Sequence, residues 1–161
     1  MVRQATVADF GFREELYFHP QTNPFLLYEM SEKPHFRSIF DDLIMKQIVF
    51  VFENDGERIG MFKLAPWTFR TSHIAYLGGV AIHPQFAGKG FGTQMLHEIL
   101  ALGKELGYRR IELSTATINE KAIHLYEKVG FEREGILRHY TFLKSENRFL
   151  DELMMSILFD D

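Results

Sequence analysis

From residue 80 to 93 the chain reads Val-Ala-Ile-His-Pro-Gln-Phe-Ala-Gly-Lys-Gly-Phe-Gly-Thr, with glycines at 88, 90 and 92. An apolar extended run enters this stretch and a long amphipathic run leaves it, so the glycines stand where a strand turns into a helix. Glycine lets the backbone approach a ligand closely, and the N–H groups that open a helix point outward at the positive end of its dipole. A loop of this kind cradles a diphosphate without a metal, and Lys89 adds a point charge. A tight turn ahead of a helix uses the same residues, so the loop alone leaves both readings open. Two other phosphate motifs can be tested against it. A Walker loop needs Gly at 83 and a hydroxyl residue at 90, where His83 and Gly90 stand. A dinucleotide fingerprint needs Gly or Ala where Thr93 stands, although Glu112 lies where a ribose-binding acid is expected. Farther on, Asn119 and Tyr126 are seven residues apart, nearly two helical turns, so both reach one elongated ligand from one helix face. Asn119 is equally a natural helix cap, and Tyr126 equally an ordinary core aromatic.

Other chemistries lack their residues. There is no cysteine, which removes disulfides, thiolate metal sites and a protein thiol as nucleophile. The seven histidines are scattered without ligand spacing, so no metal is expected. Ser114 lies in no nucleophile elbow. Eighteen basic against 22 acidic residues give a net charge of -4, which supplies no general attraction to nucleic acid or an anionic membrane. Any polyanion must be held locally. No apolar stretch reaches membrane-spanning length and the first ten residues lack a signal-peptide core, so the cytoplasm is the expected location.

The positioning elements follow from periodicity, and 161 residues of average composition suit one domain, 1–161. Val2 to Thr6 reads as a strand, Val7 to Phe18 as a helix ended by Pro20, and 19 to 30 as loop. Ser31 is placed to cap a helix from Pro34 to Lys46. Gln47 to Glu53 and Glu57 to Ala65 flank the hairpin signal Asn54-Asp55-Gly56, and Ser72 to Ile82 is a third extended run. A helix runs from Phe91 to Gly107, a strand over Arg110 to Ser114, a helix from Asn119 to Lys128, and a closing hairpin turns at Ser145-Glu146-Asn147. The order βααβββαβαββ implies an α/β fold, a mixed sheet with helices on both faces and not a series of regular βαβ repeats. Gly78-Gly79 permits a bulge in the third run without requiring one. The sixteen phenylalanines mostly fill core, and those of the first third are also placed to line a pocket.

Gln85-Phe86-Ala87-Gly88-Lys89-Gly90 resembles the Q/R-x-x-G-x-G/A loop of the GNAT superfamily of acetyl-CoA-dependent N-acetyltransferases, and Asn119-Glu120-Lys121-Ala122-Ile123-His124-Leu125-Tyr126-Glu127-Lys128-Val129-Gly130-Phe131 is similar to that family's N-x-x-A-x-x-L-Y-x-K-x-G-F motif. The element order agrees from residue 2 to 159. Glu134-Gly135, Arg138, Tyr140, Asp151 and Met154 resemble the branch acting on amino acids and small amino compounds, a softer likeness. The resemblance implies the GNAT fold, a mostly antiparallel sheet of about seven strands, and acetyl-CoA as acetyl donor. It implies that Val80 and Ile82 pair with the pantetheine arm between two splayed strands, and that Gln85, Phe86, Ala87, Gly88, Lys89, Gly90, Phe91, Gly92 and Thr93 take the diphosphate. Asn119 then touches the same ligand, and Tyr126 is catalytic, donating to the departing sulfur.

With no protein thiol to carry the acyl group, the implied reaction is direct transfer to a primary amine in a ternary complex. The amine must arrive neutral: at pH 7 roughly a tenth of a peptide α-amine is, but under about a thousandth of a lysine side chain. Many relatives carry Glu on the strand before the loop. Here Tyr76 stands at that place and no carboxylate occurs from Thr71 to His97, so the base is left among His73, Glu29 and a water chain. The rival from another class is a non-catalytic acyl-CoA sensor. The acceptor, gripped by residues 10 to 40 and the closing hairpin, is not legible, and oligomeric state is open, with a homodimer the common choice of small enzymes.

Overall fold

The computed structural model describes residues 1–160. Its elements follow the expected order: β1 (Val2–Gln4), α1 (Phe10–Tyr17), α2 (Phe36–Met45), β2 (Val49–Asn54), β3 (Glu57–Pro66), β4 (Ile74–Ile82), α3 (Phe91–Glu105), β5 (Arg110–Ala116), α4 (Glu120–Lys128), β6 (Glu132–Leu143) and β7 (Arg148–Leu158). Among the described residues the strands form a seven-stranded sheet ordered β1-β2-β3-β4-β5-β7-β6. The pairs β1/β2, β2/β3, β5/β7 and β6/β7 are antiparallel and β4/β5 is parallel, the mixed sheet the element order implied.

The turns form where the residue types demanded. Asp55 and Gly56 adopt φ of +51° and +78° between β2 and β3, and Asn147 closes the β6/β7 hairpin at +49°. The departures lie at helix starts. Asp9 accepts the Thr6 amide at 2.8 Å, which tightens Val7–Asp9 into a 3-10 turn before α1. Likewise Glu32 accepts the Glu29 amide, opening a 3-10 segment over Met30–His35 that holds Pro34, so α2 starts at Phe36 and not at Pro34. The expected loop 19 to 30 contains a short 3-10 turn, Asn23–Phe25.

By contact the chain divides into two interleaved units, one made of Met1–Leu64 with Gly79–Met95 and the other of Ala65–Gly78 with the chain from Leu96 onward. The first unit is aromatic at its centre. Phe36, Phe40, Phe52 and Phe62 are fully buried, each contributing roughly 1.5–3 kcal/mol of apolar burial. Phe36 meets Phe18 edge-on at 4.8 Å and Tyr28 at 5.2 Å. The buried Arg13 guanidinium lies 4.2 Å from the Tyr17 ring centre and within 6 Å of Phe36 and Phe40, a cation held by aromatic faces.

In the second unit the sheet has two unlike faces. Ala75, Leu77, Ile111, Leu113, Leu153 and Met155 alternate along their strands into the core. Helix α3 lies close to that side, since a Cβ at Gly103 would stand 2.6 Å from Ile111. The opposite phase carries Tyr76, Glu112, Ser114 and Glu152, half-buried and polar.

Candidate active site

In the first unit the strand-to-helix loop is anchored at its entrance. The His83 amide donates to the Ile59 carbonyl at 2.8 Å, and His83 Nδ1 accepts the Gln85 amide. That acceptor role assigns the ring proton to Nε2, which donates to Glu15 Oε1 at 3.0 Å. Pro84–Phe86 makes one 3-10 turn, after which Ala87 to Gly90 are exposed. The Gln94 amide makes the first helical bond of α3, to the Gly90 carbonyl at 3.2 Å. The amides of Phe91, Gly92 and Thr93 are therefore first-turn donors without an intrahelical acceptor. Gly88 and Gly90 hold φ of +75° and +82°, and a Cβ built on either meets nothing within 4 Å. Left-handed backbone and open space beside outward amides are what a diphosphate cradle needs. Lys89 Nζ lies 5.8 Å over the Phe86 ring, beside the cradle.

Just before the loop, β4 bends at Gly79, whose φ is +58°. Tyr17, buried in α1, donates its hydroxyl to the Gly79 carbonyl, and a Cβ at 79 would lie 2.7 Å from that hydroxyl. Burial raises the Tyr17 pKa, so the phenol stays a donor. The alternation survives the bend, with Leu77 and Ala81 both buried, and Val80 and Ile82 stay half-buried on the other phase.

In the second unit β4 pairs with β5 through Ile74↔Arg110, Ala75↔Ile111 and Tyr76↔Glu112, and among the described residues the ladder runs no further. Asn119 precedes α4, and its side chain makes no cap hydrogen bond, so capping does not occupy its amide. Tyr126 is buried on α4, its ring 5.7 Å edge-on from Phe131. Burial, and secondarily the neighbouring Tyr76 phenol, push its pKa far above the ordinary 10, so it is a neutral donor throughout the physiological range.

Three polar residues that sequence reading left without a role assemble beside it. Ser114 Oγ donates to Glu152 Oε1 at 3.1 Å, and Tyr76 lies on the same face of the sheet, opposite Glu112 two residues before Ser114. Burial raises the Glu152 pKa, partly offset by the Ser114 hydrogen bond. The only sequence signal was the polar phase of three strands; which strands pair was not readable. Glu112, weighed as a ribose-binding acid, instead accepts Trp67 Nε1 at 2.9 Å and lies 3.6 Å from Arg110. Asp151 accepts the His139 amide at 2.7 Å, fixing a bulge in β6 where His139 takes φ +49° and stacks on Phe149.

The chain was compared with known proteins. The model of the acetyltransferase (GNAT) family matches residues 13–131. The spermidine N(1)-acetyltransferase of Escherichia coli is 34% identical over 100 residues, which cover 62% of this chain and 53% of that protein. The chain thus spans about half the length of that curated relative. A spermidine N-acetyltransferase from Vibrio cholerae, solved with CoA and spermine, superimposes with a TM-score of 0.86 at 26% identity, covering 98% of this chain and 94% of that one. A ribosomal-protein-alanine N-acetyltransferase from Brucella melitensis shares the fold, with a TM-score of 0.82 at 22% identity and 99% coverage of both chains. Loop, second motif, element order and matched span agree, and the chain belongs to the GNAT family of acetyltransferases.

Proposed function

We propose that this chain moves an acetyl group from acetyl-CoA directly to a primary amine of a small molecule, amino acid or peptide. The observation that carries the reading is the loop before α3, where Gly88 and Gly90 are left-handed although no packing excludes a side chain. Backbone conformation and room for a ligand, rather than contact within the protein, account for glycine at both positions. The amides of Gln85 to Thr93 with Lys89 would hold the diphosphate, the backbone of Val80 and Ile82 the pantetheine arm, and Asn119 the same ligand from α4. When bound, acetyl-CoA supplies an acyl carbon already activated as a thioester. Tyr126 would donate to the leaving sulfur. Because burial raises the phenol further above a thiol's ordinary 8.5, a hydrogen bond, and not full proton transfer, is its contribution.

The reading treats residues 1–161 as one acetyltransferase domain, needing no metal, nucleic acid or membrane and working in the cytoplasm as a monomer or homodimer. Among the described residues no helix is long and apolar enough to cross a membrane. Short aliphatic polyamines are the first acceptors to try, a choice supported by relatives named for spermidine, one of them solved with CoA and spermine.

Thiol release from acetyl-CoA over a panel of polyamines, amino acids and short peptides tests the proposal. Turnover of at least one amine is expected, together with a rise in melting temperature on adding CoA and none on adding NAD. CoA binding without turnover of any amine would favour a sensor; no binding at all would remove the reading. Gly90→Ala is expected to weaken CoA at least tenfold while costing the fold only the roughly 1–2 kcal/mol of left-handed strain. Calorimetry beside a denaturant melt measures both.

A further inference from the structure

We propose that Glu152 receives the acceptor amine's proton through the hydroxyls of Tyr76 and Ser114, an inference that rests on the acetyltransferase reading above. An ionised carboxylate only accepts hydrogen bonds, and a serine hydroxyl has one proton to give. Ser114 gives its proton to Glu152, which leaves the Ser114 oxygen as an acceptor toward Tyr76, placed across the β4/β5 pair on the same face. The three side chains form a directed row from β4 across β5 to β7, ending on the one member that can keep an extra proton. The register places them on one face: Tyr76 opposite Glu112, Ser114 two residues on, and Glu152 opposite Ala116. After burial, the Tyr76 phenol at the row's open end is among the groups that raise the Tyr126 pKa.

Glu112 is the rival carboxylate on this face, and it is occupied. It accepts from Trp67 Nε1 at 2.9 Å and lies 3.6 Å from Arg110, so its oxygens are already engaged. The other groups that act on Tyr76 are Tyr140 of β6 and Glu152 itself, and Arg110 is also paired with Glu134. Glu152 is held by a hydroxyl, faces Ala116 of β5 and Leu137 of β6, and is pushed by burial above the ordinary 4.5, toward the basicity a proton acceptor at neutral pH requires.

In the step, the ammonium passes one proton to the Tyr76 oxygen while Tyr76 passes its own to Ser114 and Ser114 its own to Glu152. A neutral amine, two regenerated hydroxyls and a protonated carboxyl result. The amine nitrogen then bonds the acetyl carbon, the carbon–sulfur bond breaks with its electron pair on sulfur, and a second nitrogen proton goes to the thiolate. Glu152 returns its proton to water, so each turnover releases one proton.

Glu152→Gln keeps the shape and removes the acceptor. It is expected to lower kcat/KM for the amine about 100-fold and abolish the acid limb of the pH–rate profile, while the CoA-induced rise in melting temperature persists. Ser114→Ala breaks the row without touching its end and should cost at least tenfold; it decides the matter if Glu152→Gln does not fold. Infrared difference spectra, taken without acetyl-CoA, should show in the native protein a carboxyl band titrating above 4.5 that Glu152→Gln lacks. Both variants within threefold of native with the acid limb intact, or a Glu152 band titrating at or below 4.5, would overturn the assignment. If the native protein releases thiol with no amine, the acetyltransferase reading fails and takes this one with it; native turnover unaffected by the variants overturns only the role of Glu152.

Discussion

Tyr126→Phe is expected to reduce the rate of thiol release about a thousandfold, roughly 4 kcal/mol of transition-state stabilisation, with acetyl-CoA binding altered by less than about twofold. The substitution removes one oxygen from a buried ring. The edge-on packing against Phe131 is made by the ring, so the variant should fold and melt close to the native protein. In the proposed role the hydroxyl acts at the moment the sulfur gains charge, so the loss is expected on kcat and not on binding. Burial sets the pH dependence as well. With its ionisation displaced well above 10, the phenol stays protonated through the working range, so a basic limb due to Tyr126 lies above pH 10. Steady-state kinetics of both proteins from pH 6 to 10 check this, and a loss below about tenfold would remove Tyr126 from the chemistry.

The largest effect on stability belongs to Asp9, which reading by motif passed over. It is fully buried and accepts from Arg3 Nη2 and Arg58 Nε at 2.8 Å, from Arg3 Nη1 at 2.9 Å and from the Thr6 amide at 2.8 Å. One carboxylate thus fastens β1, the turn before α1 and β3. Asp9→Asn puts an amide group against guanidinium donors, leaves Arg58 without its anion and leaves Arg3 with Glu53 alone. A broken buried pair costs about 3–5 kcal/mol; since Arg3 and Arg58 keep partial access to water, about 3 kcal/mol is expected here, a fall in Tm of roughly 6–12 °C. Burial by itself would raise the Asp9 pKa, but hydrogen bonds from Arg3, Thr6 and Arg58 outweigh it and hold the group well below the ordinary 3.8. A folded-state pKa below the unfolded one stabilises above the unfolded value and ceases to as pH falls through the folded one. The gap between native and variant should therefore be full at pH 7 and shrink steadily below about pH 4. Denaturant melts at pH 7 and pH 3 measure it, and an equal gap at both would contradict the account.

Periodicity and turn residues were enough for the element order, because each depends on neighbours within a few positions. Asp55-Gly56 and Asn147 tolerate positive φ wherever they occur, and the glycine loop followed by an amphipathic run needs no distant partner to be recognised. Tyr126 was singled out for a similar reason, since a short motif on one helix carries the resemblance that makes it a candidate. Helix starts were misjudged where a side chain reached back, Asp9 to Thr6 and Glu32 to Glu29, a local competition that residue type alone does not settle.

The proposed base was out of reach of such reasoning, which left His73, Glu29 and a water chain. Tyr76, Ser114 and Glu152 lie 38 residues apart at each step, and nothing in the chain announces their meeting. The same holds for Arg3, Asp9 and Arg58. From the sequence alone came the family, the order of elements and the two motifs that make the glycine loop and Tyr126 candidates, all encoded at short range. Which strands lie side by side, and hence which hydroxyl finds which carboxylate, was decided by the tertiary structure, because strand register is set by packing of the apolar phase and carries the polar phase with it.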